Sequence, residues 1–454
     1  MKIVIIGDGK VGFTLARQLS REGHDLVLID SDKEVLERSQ EKLDVMIVTG
    51  NGASLEVQTE ADMPHADLMI AVTSSDETNI LCCILAKKLG CPYTIARVRN
   101  TEYNQQLQYL KEDLGLSMTI NPELMCAQQI FRSLEFPSFL KLDAFAKGRV
   151  ELVELQLDDK NTLTGRRIDS IKSELRHHIL VCAVERGDEV MIPGGGFVFE
   201  NGDRITVTAP RRDLARVIGQ LGITQQRIRS VMIIGGSRIC EYLADDLIGT
   251  GIAVKIIESD PKRCDELSER LPKALVINDD GSAQDVLLAE GIAETDAVIA
   301  MTGVDEMNIV ISMFAQHIGV KKTITKIDRN EYNTLFSDKG IGSTVCPKDL
   351  ISADILRYVR AMSSSGEGPA ITLHHIVGEK AEAIEFIADS KTMHLGEPLS
   401  ELPLRKNLLI ACITRHGGVI FPGGSDHIQL GDTVIIVTTS EHTIIDLNDI
   451  FTDN

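Results

Sequence analysis

The feature that most constrains this 454-residue chain is that it is one unit written twice. "KIVIIGDGKVG" from Lys2 aligns with "SVMIIGGSRIC" from Ser230, and "LVLIDSDK" from Leu26 with "VKIIESDP" from Val254, both at a spacing of 228 residues. The register continues one residue later. "AVTSSDETNI" from Ala71 meets "AMTGVDEMNI" from Ala300, and "IARVRNTEYN" from Ile95 meets "ITKIDRNEYN" from Ile324. "ILVCAVERGDEVMIPGGGFVFENGDRITV" from Ile179 then meets "LLIACITRHGGVIFPGGSDHIQLGDTVII" from Leu408. Self-similarity on this scale means a tandem duplication, so any fold assigned to one half applies to the other.

Each half has two textures. Residues 1 to about 135 alternate β-branched runs (Ile3 to Ile6, Leu26 to Ile29, Val45 to Val48, Leu68 to Val72, Thr94 to Val98, Met118 to Asn121) with helical stretches such as Val11 to Glu22 and Asn79 to Leu89. That alternation predicts an α/β lobe, a doubly wound parallel sheet with helices on both faces. From about Lys147 the runs "VELVELQL", "ILVCAVER" and "DRITVTA" are separated by "PGGG" and "ENGD". Period-two alternation bounded by turn residues predicts a small, β-rich α+β lobe. The stretch "SSSGEGP" from Ser363 to Pro369 reads as the matching junction in the second copy. The predicted order is large, small, large, small, over residues 1–135, 141–225, 229–362 and 370–454.

The first large lobe opens with "GDGKVG", Gly7 to Gly12, between a strand and an amphipathic helix. In a Rossmann-like loop Gly7 permits the tight turn, Gly9 lets a pyrophosphate reach the backbone, and Gly12 lets helix and strand pack closely. Free N–H groups at the helix start favour phosphates. Asp30, closing "LVLID" 23 residues after Gly7, stands where an acid accepts hydrogen bonds from the ribose of NAD.

Around this core the same edge of the sheet gathers further candidates. Asp8, Lys10 and Val11 share the loop, Ser31 follows the acid, and Asn51 and Gly52 in "TGNGAS" lie toward the adenine end. Thr73 and Ser74 follow the fourth strand, where Asp76 reads either as a ligand residue or as a helix cap. Arg97 and Arg99 alternate along the fifth strand and therefore face one side, as phosphate ligands or as surface ion pairs. Glu123 follows the sixth strand, opposing those arginines or a metal, or simply opening a helix.

Composition limits the rest. Lys plus Arg number 47 against 67 Asp plus Glu, a net charge of -20, which argues against a broad nucleic-acid surface. The apolar runs are strand-sized, short of the roughly 20 residues that span a bilayer, and "MKIVIIGDG" leaves no room for a secretion signal. Nine cysteines without a C-x-x-C pair suit reduced, buried thiols in the cytoplasm. The eleven histidines show no recognisable catalytic or metal-ligand spacing, and His177 and His178 read as surface residues. No catalytic or metal-binding set emerges, so the pocket reads as one for sensing. The alternative is an NAD-dependent oxidoreductase with duplicated Rossmann lobes.

The combination of "VIIGDGKVG", "LIDSD", "AVTSSDETNI" and "ARVRN", with each large lobe followed by a small one carrying "PGGG" or "PGGS" and "GD", resembles the TrkA family. Its members are cytoplasmic regulatory subunits of Trk-type potassium uptake systems, built of tandem RCK lobes, and the likeness covers the whole chain. It implies binding of NAD(H), with ATP or ADP as alternative ligands, and assembly into a homo-oligomeric ring. It also implies docking beneath a potassium-translocating membrane subunit, with no nucleic acid involved; a regulator of a different cation transporter is a further alternative. On this resemblance Gly7, Gly9, Lys10, Val11 and Gly12 line the phosphates, Asp30 takes the ribose, Thr73 and Ser74 flank the cofactor and Arg97 faces its phosphates. Glu123 matches an acid of a subunit-bridging ATP or cation site in single-copy relatives, with Asn121 standing where His is frequent.

The second copy departs from this pattern. Gly235 aligns with Gly7, but Ser237 replaces Gly9 and Cys240 replaces Gly12. Glu258 retains the acid, Arg238 aligns with Lys10 and Lys326 with Arg97. The expectation is a retained fold with weaker or altered ligand choice, a mononucleotide or nothing, while the first lobe keeps the dinucleotide site.

Overall fold

The protein's structure, a computed structural model, describes residues 1–100, 103, 106–107, 110, 114–135, 141–145, 149–157, 161–174, 180–187, 189–210, 227–329, 332, 342–363, 372–376, 380–439, 444 and 446–452. His177, His178 and all but the first residue of the predicted Ser363–Pro369 junction lie outside these residues, and the helix Pro347–Ser363 runs up to that point.

Both large lobes form the predicted sheet. In the first, β1 (Lys2–Ile6), β2 (Asp25–Asp30), β3 (Met46–Thr49), β4 (Leu68–Ala71), β5 (Tyr93–Arg97) and β6 (Met118–Ile120) run parallel in the order 3-2-1-4-5-6. β1 and β4 are fully buried along Ile3–Ile6 and Leu68–Ala71, as strands covered on both faces must be. The amphipathic helix Lys10–Arg21 turns Leu15, Ala16 and Leu19 inward. Two short helices, Lys33–Gln40 and Leu55–Glu60, complete the crossovers around β3.

The first small lobe is an antiparallel sheet of β7 (Lys141–Phe145), β8 (Val150–Gln156), β9 (Leu180–Arg186), β10 (Glu189–Met191) and β11 (Arg204–Pro210), in the order 10-9-11-8-7. The "GD" of "ENGD" closes it. The Asp203 carboxylate, 1% exposed, accepts both Nε and one terminal nitrogen of Arg186, at 2.7 and 2.8 Å, and the Glu200 backbone N–H at 2.8 Å.

The second copy repeats this build. β12 (Ser230–Ile234), β13 (Ala253–Glu258), β14 (Leu275–Asn278), β15 (Ala297–Ala300), β16 (Lys322–Lys326) and β17 (Ser343–Val345) take the same parallel order. β18 (Thr372–Ile376), β19 (Ala381–Ile387), β20 (Leu408–Arg415), β21 (Gly418–Ile420) and β22 (Thr433–Thr439) form the second small sheet. There Asp432 holds Arg415 and the Gln429 N–H with the geometry of Asp203. The two small sheets share one core, in which Phe145, Leu152, Cys182 and Ala183 pack with Ile376, Ala383, Cys412 and Val437.

The compact units do not follow the repeat boundary. One comprises Met1–Gln128 with Cys346–Leu356, the other Gln129–Val345 with Arg357–Asn454. All nine cysteines are buried and form no disulfides, and burial pushes the thiols of Cys82 and Cys412 up to about 12, so they pack as small apolar groups. Among the described residues no helix is long and apolar enough to cross a membrane.

Candidate functional site

Because all six strands of the first lobe are parallel, the loops after β1, β2, β3 and β4 emerge along one edge. Strand order reverses between β1 and β4, and there the two loops come close together. Gly7 has φ +100°, and a Cβ on it would lie 2.9 Å from the Thr73 backbone nitrogen. A Cβ on Gly12 would lie 1.9 Å from the Gly7 carbonyl oxygen. Both glycines are demanded by the chain itself.

Gly9 is different. A Cβ there would meet nothing within 4 Å, so the protein's own packing does not require a glycine. Gly9 is the N-cap of helix Lys10–Arg21, and no side chain caps that end. A helix start that no side chain caps, beside a glycine with room around it, is the arrangement that receives a phosphate. Lys10 is exposed at the first helical position and Val11 half-buried beside it.

Asp30 ends β2 next to this loop. One carboxylate oxygen accepts the Asp8 N–H at 2.7 Å and the other the Asp32 N–H at 3.0 Å, which fixes the group while each oxygen keeps a lone pair for ribose hydroxyls. Ser31 is exposed beside it. Asp8 is 3% exposed, both its carboxylate oxygens are buried, and among the described residues only the Ser39 hydroxyl comes near enough to donate to them. Burial pushes its pKa up to about 6, the Ser39 hydroxyl pulling it back and the Asp30 carboxylate adding to the rise.

The remaining candidates divide. Asn51 is exposed and accepts the Ala53 N–H at 3.0 Å, the turn role, while Gly52 is buried where a Cβ would lie 2.2 Å from Ile6. The Thr73 hydroxyl is spent on Asn79 at 2.7 Å, and Ser74 stays exposed at the rim. Arg97 closes β5, half-buried. The expectation that Arg99 alternates with it along the strand is corrected, because β5 stops at Arg97. The Arg99 guanidinium instead turns back to Asp76, at 3.4 Å, and to the Ser74 carbonyl. Asp76 does not cap its helix, since Ser75 does; it accepts the backbone N–H groups of Arg99 and Asn100, each at 2.8 Å. Glu123 sits in the first turn of helix Pro122–Glu135, with one carboxylate oxygen buried and without a hydrogen-bond partner among the described residues.

Sequence reasoning passed over Asn79. Fully buried, it accepts the Thr73 N–H at 2.8 Å and donates to the Arg97 carbonyl at 2.9 Å, tying the loop after β4 to the end of β5. Asn308 repeats this with Thr302 and Lys326. The signal was available, since D-E-x-N occurs in both copies.

In the second lobe Gly235 keeps its positive φ of +104°. Ser237 caps helix Arg238–Gly249, its hydroxyl accepting the Cys240 N–H at 3.4 Å, so a side chain now uses a donor that the first loop leaves open. Glu258 accepts the Gly236 and Asp260 N–H groups, at 2.5 and 2.8 Å, as Asp30 does in the first copy. Lys326 pairs with Asp328 at 3.2 Å and Arg238 is exposed. Arg263 donates to the Gly236 carbonyl and pairs with Glu241 and Glu266, bracing the loop. A cavity of about 570 Å³ over this loop is lined by Ser237, Glu258, Asp280 and Thr302 among others, so room for a ligand persists in the second copy.

The TrkA-N domain family model matches residues 3–122 and 231–347, and the TrkA-C domain model residues 152–222 and 383–451. The chain belongs to the TrkA family. A Trk system potassium uptake protein TrkA homolog of Methanosarcina mazei is 35% identical over 97% of this chain and 98% of that protein. The Trk system potassium uptake protein TrkA of Haemophilus influenzae is 31% identical over 99% and 98%. Among solved structures, the GsuK channel bound to NAD superposes with a TM-score of 0.63 at 18% identity, covering 97% of this chain and 77% of that one, a likeness of fold. Both TrkA-N matches therefore fall on the six-stranded parallel sheets, and both TrkA-C matches on the antiparallel ones.

Proposed function

We propose that this TrkA-family chain is the cytoplasmic, nucleotide-sensing regulatory subunit of a Trk-type potassium uptake system, held at the inner face of the membrane by a potassium-translocating partner. The observation that carries the reading is the uncapped helix start behind Gly9, beside the fixed carboxylate of Asp30. NAD(H) fits this site. Gly9 gives the pyrophosphate backbone donors and open space, Asp30 takes the ribose, and Arg97, Lys10 and the Thr73–Ser74 rim flank it. ATP and ADP compete for the same loop. The relatives' names point to potassium uptake, and the GsuK channel is described as bound to NAD.

The role is regulatory rather than catalytic. Copies associate through their TrkA-N and TrkA-C lobes into a ring, and ligands that fit two ring shapes unequally shift the balance between them by no more than their differential affinity. A tenfold difference at one site is about 1.4 kcal/mol, so several sites acting together make a firm switch.

Potassium flux through the complex reconstituted with its membrane partner, measured with NADH, ATP and ADP in turn, tests this reading. Flux that differs between ligands, and a difference lost in Asp30→Ala, supports it. Identical flux with all three, or stoichiometric NADH oxidation by the chain, overturns it.

A further inference from the structure

Asp8 has no structural task that a carboxylate performs well. It sits in the phosphate loop, 3% exposed, with both oxygens buried and, among the described residues, only the Ser39 hydroxyl close enough to act on them as a hydrogen-bond donor. The titratable group acting on it is another carboxylate, Asp30 at the end of β2, and helix Lys33–Gln40 offers only the Ser39 hydroxyl. Among the described residues no lysine, arginine or histidine forms an ion pair with it.

The second copy shows what the loop looks like without this group. Gly236 stands at the matching position and Leu267 at that of Ser39. A Cβ on Gly236 would lie 2.7 Å from Leu267 and 2.9 Å from the Glu258 carboxylate, so a side chain there requires both to move. Two linked differences, Asp8 with Ser39 against Gly236 with Leu267, keep an unpaired carboxylate in the loop whose glycines admit a dinucleotide.

We propose that Asp8 couples nucleotide binding in the first large lobe to proton uptake, so that the loop holds its pyrophosphate ligand with Asp8 protonated. The proposal rests on the reading that this lobe binds a dinucleotide. Its physical basis is like-charge repulsion. A pyrophosphate seated on the helix start brings two negative charges to a loop that already holds two carboxylates, and it closes water out. The cheapest relief is to protonate the one acid that burial has already raised toward neutrality. Linkage is reciprocal, so whatever factor the ligand adds to Asp8's proton affinity, the proton adds to ligand affinity. Affinity rises as pH falls toward the pKa of the free loop, about 6, and levels off below it.

The test is calorimetric titration of the full chain with NAD⁺, which has no group titrating near neutrality, unlike the terminal phosphate of ATP. It is run between about pH 6 and 8 in buffer pairs of different ionisation enthalpy. Expected is net proton uptake near pH 7 and affinity about threefold to tenfold tighter at the acid end. Asp8→Asn and Asp8→Gly are expected to bind NAD⁺ without proton uptake and with affinity independent of pH. Binding by the unmodified chain with no proton uptake, or uptake that persists in Asp8→Asn, overturns the proposal and leaves dinucleotide binding standing. Absence of NAD⁺ binding at every pH, in the unmodified chain and both variants, overturns the parent reading and this one with it.

Discussion

Gly12 lies so close to Gly7 that a single added carbon on it would sit 1.9 Å from the Gly7 carbonyl oxygen, whereas a carbon added to Gly9 would touch nothing. The two glycines should therefore fail differently. Gly12→Ala must displace the helix or the turn, with a loss of about 1–3 kcal/mol and of NAD⁺ binding. Gly9→Ala should keep Tm within a few degrees of the parent while weakening NAD⁺ binding at least tenfold, a loss of about 1.4 kcal/mol. Thermal melts beside calorimetry separate the two, and unchanged NAD⁺ affinity in Gly9→Ala would count against a ligand at that loop.

The second loop should be repairable. Ser237→Gly with Cys240→Gly restores the glycine spacing and removes the hydroxyl that caps the helix, at a capping cost of only a few tenths of a kcal/mol. Binding stoichiometry is expected to rise from one NAD⁺ per chain to two. A count that stays at one would place the block elsewhere, with Arg263 and its hold on the Gly236 carbonyl the next candidate.

Lys322 gives a stability profile with a definite sign. It is 5% exposed, donates to the Ser343 hydroxyl at 2.9 Å, and burial lowers its pKa from 10.5 to about 8. Between those values the unfolded chain binds more protons than the folded one, so this group's contribution to stability rises with pH across that window. Below pH 8 the whole penalty is present. Lys322→Met should raise stability by about 1–2 kcal/mol near neutral pH, after the loss of the Ser343 bond, with the gain shrinking toward pH 10.5. Denaturant unfolding at several pH values checks it, and a gain that grows with pH would contradict it.

The buried Asp432 clasp of the second small lobe should be costly to open. Asp432→Ala leaves the Gln429 N–H unpaired and the partly exposed Arg415 guanidinium with only the His427 carbonyl, a loss of about 1.5–3 kcal/mol. Asp203→Ala should behave alike in the first small lobe. Urea unfolding measures both, and a loss under about 1 kcal/mol would mean that solvent replaces the bonds.

The strands of the large lobes were legible because β-branched runs alternated with helical periodicity, and the edges of those runs differ from the observed strands by about a residue. The loop was legible because its glycines serve the backbone, and Gly7 and Gly12 are held by contacts that any such strand-turn-helix makes. Arg99 was misread because its direction depends on where β5 stops, and that end is set by Asp76 capturing the Arg99 and Asn100 N–H groups from another part of the chain. The short helices Lys33–Gln40 and Leu55–Glu60 are too brief and polar to show a periodic face. Asp8 looked like a loop acid. Its burial beside Ser39 and Asp30 is a neighbourhood visible only in three dimensions.

The first compact unit takes in Cys346–Leu356, more than 200 residues downstream of Gln128. During synthesis the N-terminal unit is thus the first to begin, yet it stays incomplete until the chain has passed Leu356. At ordinary elongation speeds its last eleven residues arrive roughly 10–45 s after the rest. For that interval a finished nucleotide loop waits on an unfinished unit, and early nucleotide could steady the nascent chain before any partner is present.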